Sequence, residues 1–457
     1  MRINVAGAGA GKTSKMALYT SKCSVPEGKL IFCIAFTHAA IDNIEKKVIE
    51  QYGTVPNHIK ICTIHSFLYQ EVIQPYYFLL YGTHYQKVST IDLPEDYGLR
   101  NLRISELKKK GYIHQTKIPE IAKWVIAKKS RDTSKTKEIR SRILTRFATY
   151  CYKVFVDEAQ DIDKDMSIVL EAMSDAGVEI EMFGDPKQDI KGHNCYRELI
   201  GKSSDVCYIG ECHRCPQMHL LLSNMLAGDS EKQIADVNNN KGSIRVSFES
   251  EIENIEAHIE QGKYGLVYIS RKNGRFDTHG VDKQDSRFAN LDEEILDAMQ
   301  RKHSSHRTDM EIRRAAYYVT ERIIHDFDSH GDPKKVINEW INKGMFDYDK
   351  IQYAKICEAL RTNNQSEGES IIVKSIESIK GLEDEKCLFI LTKDLAPYLF
   401  RKKTTDNKTK HLLYVALTRS KDELSILVTR EVETAYSKEF ILSFIENATK
   451  HNGLDDT

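Results

Sequence analysis

Apolar residues in this chain come in short, dense blocks rather than in strict alternation. "INV" (3–5), "LIFCIAFT" (30–37), "IKICTIH" (59–65), "YKVFVDE" (152–158), "IEMFGD" (180–185) and "VCYIG" (206–210) form a first series. "GSIRVSF" (242–248), "YGLVYIS" (264–270), "ESIIVKSI" (369–376), "KCLFIL" (386–391) and "ELSILV" (423–428) form a second. Continuous runs of Val, Ile, Leu and Phe predict strands covered on both faces. Helical patterns lie between the blocks, so the two series predict two α/β domains with parallel sheets. Two stretches break the rhythm. Residues 69–148 are polar, basic and mostly helical in pattern. Residues 276–368 are also helical, as in "LDEEILDAMQRK" and "DMEIRRAAYYVTERIIHDF". Each is expected to be a subdomain inserted into one sheet domain. "TNNQSEGES" (362–370) reads as a linker.

Composition narrows the class without changing this outline. A chain of 457 residues allows roughly two to four domains with an ample core. No apolar run approaches the ~18 residues of a membrane helix, and no signal-peptide pattern opens the chain. A cytoplasmic protein with no membrane partner is expected, and its ten cysteines read as reduced thiols. The net charge is only −1, yet Gly98–Arg146 has 15 Lys or Arg against 4 Asp or Glu. That local balance of +11 leaves −12 for the remainder. So concentrated a patch reads either as a phosphate-facing surface or as a solvated helical face.

Chemistry enters at residue 6. Ala6-Gly7-Ala8-Gly9-Ala10-Gly11-Lys12-Thr13 has the spacing of a Walker A loop, with Ala at the first Gly position. Small residues let backbone N–H groups close round phosphate oxygens at a helix N-terminus. Lys12 is the candidate for the β- and γ-phosphates and Thr13 for Mg2+. Alone, the pattern fits a kinase or a GTPase equally well. "VFVDEAQD" (154–161) adds a strand delivering Asp157, a candidate metal carboxylate, and Glu158, a candidate base for the attacking water. "FGDPKQDI" (183–190) brings Asp185 and Gln188 to another strand end. Arg214 in "ECHRCP" and Arg419 in "LLYVALTRSKDEL" are of the type that stabilises a transferring phosphoryl group.

In order along the chain, these pieces resemble the motifs of the UvrD/Rep group of superfamily 1A DNA helicases. "AGAGAGKT" matches motif I, "FTHAA" (36–40) motif Ia, "CTIHSF" (62–67) the next and "VDEAQD" motif II. "GDPKQ" matches motif III, Arg214 motif IV, "SIESIKGLE" (375–383) motif V and "YVALTRSK" (414–421) motif VI. Compact size and "DEAQDIDKDM" bring the chain nearest to the helicase-like B subunits of Gabija anti-phage systems.

The resemblance implies two RecA-like domains, 1–68 with 149–212 (1A) and 213–275 with 369–457 (2A). It also implies a basic subdomain 1B at 69–148 and a reduced 2B at 276–368. ATP and Mg2+ would be bound by Gly7, Ala8, Gly9, Ala10, Gly11, Lys12 and Thr13, with Asp157 completing the metal site. Glu158 would be the base, Gln188 the γ-phosphate sensor, Arg214 and Arg419 the fingers, and Glu383 the ribose contact. Single-stranded DNA would cross Phe36, Thr37, His65, Lys191 and His193. An OLD-family nuclease partner in a hetero-oligomer and a role in phage defence are implied as well.

The chain also departs from the family pattern. The glutamine motif that reads adenine has no counterpart upstream of the loop, so His213 is the candidate to stack on the base. Where the family has "SIYxFRGA", this chain has "DIKGHN": Lys191 replaces Tyr, His193 an aromatic and Asn194 an Arg. Glu377 stands where motif V usually has His. The nucleotide machinery is intact while the DNA grip is altered. A regulatory subunit that senses nucleotide and DNA with little unwinding is therefore the competing reading, and a housekeeping repair role stays open. Cys195, Cys207, Cys212 and Cys215 read either as metal ligands or as ordinary buried thiols.

Overall fold

The structure, a computed structural model, describes residues 1–94, 96–127, 129–278, 283–361 and 371–450. Six of the apolar blocks form one parallel sheet. Its strands are β1 (Arg2–Ala6), β2 (Leu30–Ala35), β3 (Ile59–Thr63), β4 (Cys151–Val156), β5 (Glu179–Gly184) and β6 (Val206–Ile209). They lie in the order β3-β2-β4-β5-β1-β6. The strand carrying Asp157 is thus separated from the strand feeding the glycine-rich loop by β5. Helices Lys12–Ser21 and His38–Tyr52 cover the sheet and bury Met16, Ile44 and Val48 against Ile31, Phe155 and Phe183.

The remaining blocks form a second, five-stranded parallel sheet. Its strands are β7 (Ser243–Phe248), β8 (Leu266–Ile269), β9 (Lys374–Ser375), β10 (Asp384–Leu391) and β11 (Ser420–Val428). Their order is β7-β11-β10-β8-β9. Tyr268, Phe389, Leu413, Leu424 and Ile426 anchor its core. Both sheets with their helices are parallel α/β folds. Because every strand in a sheet runs the same way, the loops after the strands collect along one edge, where ligands of such folds bind.

Two blocks behave differently from their apolar pattern. The strand in "IKICTIH" stops at Thr63, whose hydroxyl accepts the Ser66 N–H at 3.2 Å and caps a helical turn, Ile64–Phe67. His65 therefore stands on a helix. "ESIIVKSI" divides into two short strands, Ile371–Ile372 and Lys374–Ser375, which pair in different sheets. The linker 362–370 lies outside the described residues.

The chain divides into two compact units. One contains both large sheets and comprises Met1–Tyr85, Thr116–Asn273 and Val373–Thr457. The other joins Gln86–Gln115 to Gly274–Ile372. Its helices bury Leu291, Ile295, Ile312, Ile323, Ile337 and Phe346. Within this second unit the basic helix Tyr97–Lys109 and its exit meet acidic partners. Arg103 pairs with Glu294, Lys110 with Asp297, and Glu106 with Lys355 at 3.3 Å.

Candidate active site

The loop after β1 depends on glycine for two reasons. Gly9 and Gly11 have φ of 69° and 71°, a left-handed backbone that other residues adopt at a cost. A Cβ at Gly9 would also stand 2.5 Å from the Cβ of Arg214. Gly11 offers no side-chain cap to the helix Lys12–Ser21, so its first-turn amides are free for an anion. Lys12 Nζ rests on the carbonyls of Ala6 (3.5 Å) and Gly7 (3.4 Å). Thr13 donates its hydroxyl to Asp157 Oδ2 at 2.8 Å. The motif I and motif II residues are therefore in direct contact.

The two neighbouring acids have different electrostatic characters. Asp157 is buried, and burial together with the Glu158 charge pushes its carboxyl up to about 6. Burial also opposes ionisation of Glu158, but the charges of Lys12 and Lys380 win and hold it below the usual range. Gln160 adds a hydrogen bond to the Glu158 carboxylate. Glu158 adopts φ 52°, a strained conformation of the kind found at working sites. Separated acidities in adjacent carboxylates allow separate roles, one at a metal and one at a proton.

Beyond β5, Asp185 organises the turn Pro186–Gln188. Its carboxylate accepts from Gln188 Nε2 at 3.0 Å and pairs with Lys187 at 2.9 Å. Residues from beyond the first sheet then meet the glycine-rich loop directly. The Tyr414 hydroxyl accepts the Ala8 N–H at 3.2 Å and donates to Gln233 Oε1 at 2.9 Å. Gln233 Nε2 returns to the Ala8 carbonyl at 3.0 Å, and the His213 N–H donates to the Gly9 carbonyl at 2.9 Å. Buried Arg419 donates to the carbonyls of Val415 (3.0 Å) and Leu382 (3.3 Å). Burial, then the Arg214 charge, draws it down to about 10. Arg214 forms an ion pair with Glu383 at 2.5 Å. The His213 ring is exposed and flanked by Asp236 (2.7 Å) and Glu211 (3.6 Å). Tyr414 lies inside the quoted motif VI, but Gln233 lies in no motif and only its burial marks it.

Phe36, His65 and Lys191 gather beyond the ends of β2 and β3. Lys191 Nζ stands 5.1 Å from the Phe36 ring centre, and burial followed by the Lys191 charge lowers the His65 pKa. Thr37 caps the next helix, accepting the Ala40 N–H at 3.2 Å. Lys191, His193 and Asn194 are exposed on a loop whose amides are held by Asp189. That carboxylate accepts from Gly192 (2.8 Å), His193 (3.2 Å) and Asn194 (2.7 Å). The Asp189 carbonyl accepts from His411 Nδ1 at 2.8 Å, linking the loop to the second domain. Glu377 is exposed and pairs with Lys408 at 2.6 Å.

Much of the basic run is already neutralised. Besides Arg103 and Lys110, Lys123 pairs with Asp165 at 2.5 Å and Arg140 with Asp132 at 2.9 Å. Arg142 and Arg146 instead line a cavity of about 580 Å³ with Tyr76, Leu79, Ile139 and Thr149. None of the ten cysteines is in a disulfide. Among the described residues the four clustered in sequence do not assemble into one metal-binding group; the set close enough to share an ion is Glu211, His213 and Asp236. No described helix is long and apolar enough to cross a membrane.

Comparison with known proteins agrees with this architecture. Residues 1–194 match a family model described as an AAA domain, and residues 293–428 match the viral superfamily 1 RNA helicase core domain. The Gabija protein GajB of Bacillus cereus (strain VD045) is 26% identical over 286 residues. That match covers 57% of this chain and 53% of GajB, about half the relative's length. An arterivirus nonstructural protein 10 (helicase) solved with DNA aligns over 93% of this chain and 60% of its own, at 12% identity and a TM-score of 0.36. The PRRSV helicase aligns over 93% of this chain and 52% of its own, at 12% identity and 0.34.

Proposed function

We propose that this superfamily 1 helicase-like chain, which resembles GajB, is a DNA-stimulated ATPase of the translocating kind. One observation carries the reading: Tyr414 and Gln233 grip both polar atoms of Ala8, so the second domain acts directly on the phosphate loop. The oxygen pair of Thr13 and Asp157 suits Mg2+, a hard cation that takes carboxylate and hydroxyl ligands. When bound, Mg2+ offsets the charge on the β- and γ-phosphate oxygens.

The remaining steps belong to the chain's own residues. Lys12 leaves the Ala6 and Gly7 carbonyls for the β- and γ-phosphates, and Gly7–Gly11 supply amides. Glu158, kept ionised by Lys12 and Lys380, orients the attacking water and takes its proton. Gln188 senses the γ-phosphate. Arg214 and Arg419 stabilise charge as the bond to it breaks, and His213 stacks on the base. Closure on ATP and release after hydrolysis shift helix Lys408–Leu417, and the Asp189–His411 contact passes that shift to the loop bearing Lys191 and His193. Single-stranded DNA then moves along Phe36, Thr37 and His65. By analogy with GajB, the setting is antiviral defence in a hetero-oligomer with an OLD-family nuclease.

The test is phosphate release with ATP or GTP, with and without single-stranded DNA, using Lys12→Ala and Glu158→Gln as controls. Stimulation by DNA of about tenfold or more, about 1.4 kcal/mol of barrier, supports the motor. A second reading draws on the exposed Glu377–Lys408 pair, which would set an anion and its cation partner where motif V would meet DNA. Slow turnover indifferent to DNA would favour that reading, a nucleotide-sensing regulatory subunit.

A further inference from the structure

The segment Cys212-His213-Arg214-Cys215 holds two thiols that the hydrolysis scheme does not use. We propose that Cys212 and Cys215 are a redox modification site, whose disulfide disables the nucleotide site by displacing Arg214. The inference rests on the proposed ATPase reading for its consequence, but not for the chemistry of the pair.

Geometry prepares the bond. Cys212 ends a short strand, Glu211–Cys212, paired with Ile234–Ala235, and Cys215 stands just before the helix Gln217–Asn224. One side chain ties both ends of the turn: Asn239 Nδ2 donates to the carbonyls of Cys212 (2.7 Å) and Cys215 (2.9 Å). The Cys215 N–H donates to Cys212 Sγ at 3.3 Å, which sets the two cysteines against each other across the turn. Both thiols are fully buried beside the phosphate loop. Cys212 Sγ lies 3.2 Å from the Ala8 carbonyl, and a Cβ at Gly9 would sit 3.0 Å from it.

Electrostatics separate the two sulfurs. The hydrogen bond from Cys215, with backbone N–H groups and the Arg214 charge behind it, draws Cys212 down to about 6 against the cost of burial. The same bond and burial push Cys215 well up. By contrast, burial pushes Cys33, Cys62 and Cys387 up to about 12. A low-pKa thiol beside a partner is the arrangement of reactive pairs. When Cys212 loses its proton the Ala8 carbonyl is not orphaned, because Gln233 also donates to it.

The oxidant is hydrogen peroxide. Cys212 thiolate attacks the peroxide oxygen, so an S–O bond forms, the O–O bond breaks and the leaving oxygen departs as water after taking a proton. Cys215 sulfur then attacks the sulfenic sulfur, an S–S bond forms, the thiol proton is lost and a second water leaves. Two thiols and one peroxide give one disulfide and two waters. The bonded sulfur must leave its place against Ala8, and Arg214 is carried with the shortened turn.

The full-length chain treated with hydrogen peroxide should yield a Cys212–Cys215 linked peptide by mass spectrometry. Phosphate release and affinity for a fluorescent ATP analogue should each fall at least tenfold, and dithiothreitol should restore both. Cys215→Ser should prevent the bond and the loss, and saturating analogue should slow oxidation. Free thiols after peroxide, or a disulfide that leaves analogue affinity and turnover unchanged, overturns the proposal. Turnover of the reduced protein tests the ATPase reading separately, while the linked peptide and the analogue affinity judge the redox site even in a protein that hydrolyses nothing.

Discussion

Arg214 and Glu383 meet at 2.5 Å, and Lys421 holds the other oxygen of the same carboxylate at 3.0 Å. A carboxylate shared by two cations fixes the direction of the guanidinium, so Glu383 has a second candidate role besides touching the ribose. The kinetic constants separate the two. If Glu383 positions the finger, Glu383→Gln lowers kcat about tenfold (~1.4 kcal/mol) and leaves KM within about twofold. A tenfold rise in KM at constant kcat assigns it to the nucleotide instead.

The raised pKa of Asp157 gives a pH dependence with a definite sign. Its folded value of about 6 exceeds the ordinary 3.8, so the folded chain holds this proton more tightly than the unfolded chain. The corresponding stability is fully present below 3.8 and is lost as pH rises through about 6. Under the proposed function, Mg2+-dependent nucleotide binding runs the other way, because the proposed ligand is the carboxylate. Asp157→Asn should therefore raise the melting temperature of the nucleotide-free protein at pH 8 more than at pH 5. Calorimetry at both pH values checks it, and equal shifts would contradict it. The same variant should lose Mg2+-dependent hydrolysis.

The Tyr414 hydroxyl satisfies Ala8 N–H and Gln233 Oε1 in a site with no exposure to solvent. Tyr414→Phe leaves both without that partner. Urea unfolding should show a loss of about 1–3 kcal/mol, with the midpoint lowered and the slope unchanged. An unchanged midpoint would mean that water or another side chain replaces the hydroxyl.

The basic run separates into paired and unpaired cations. Lys123 is held by Asp165, whereas Arg142 and Arg146 face an open cavity. If single-stranded DNA uses that face, Arg142→Ala and Arg146→Ala should each lower the slope of log affinity against log salt by about 0.7. Lys123→Ala should leave it unchanged. Equal slopes for all three in a fluorescence anisotropy titration would remove the cavity from the DNA path.

Strands and phosphate loop were legible because their signals are local. A run such as "LIFCIA" suits a strand buried on both faces, and Gly9 and Gly11 announce a backbone few other residues adopt. His65 was misread as strand because "IKICTIH" is apolar throughout, while Thr63, a capping residue, ends the strand inside it. Partners distant in sequence were not legible. Arg103 looked like part of a free patch until the fold set it against Glu294, 191 residues later. Gln233 and Asn239 escaped for the same reason: each acts on a backbone atom elsewhere, and a lone amide side chain has no pattern.

The loop beyond Gln188 is held by its amides, through the carboxylate of Asp189, with Gly192 and Asn194 at φ 73° and 56°. Those two positions are bound by conformation, but 191 and 193 answer to no such demand. The outward side chains of this loop can therefore be replaced while the turn keeps its shape. One buried carboxylate is thus a rigid mount whose fittings are free to change.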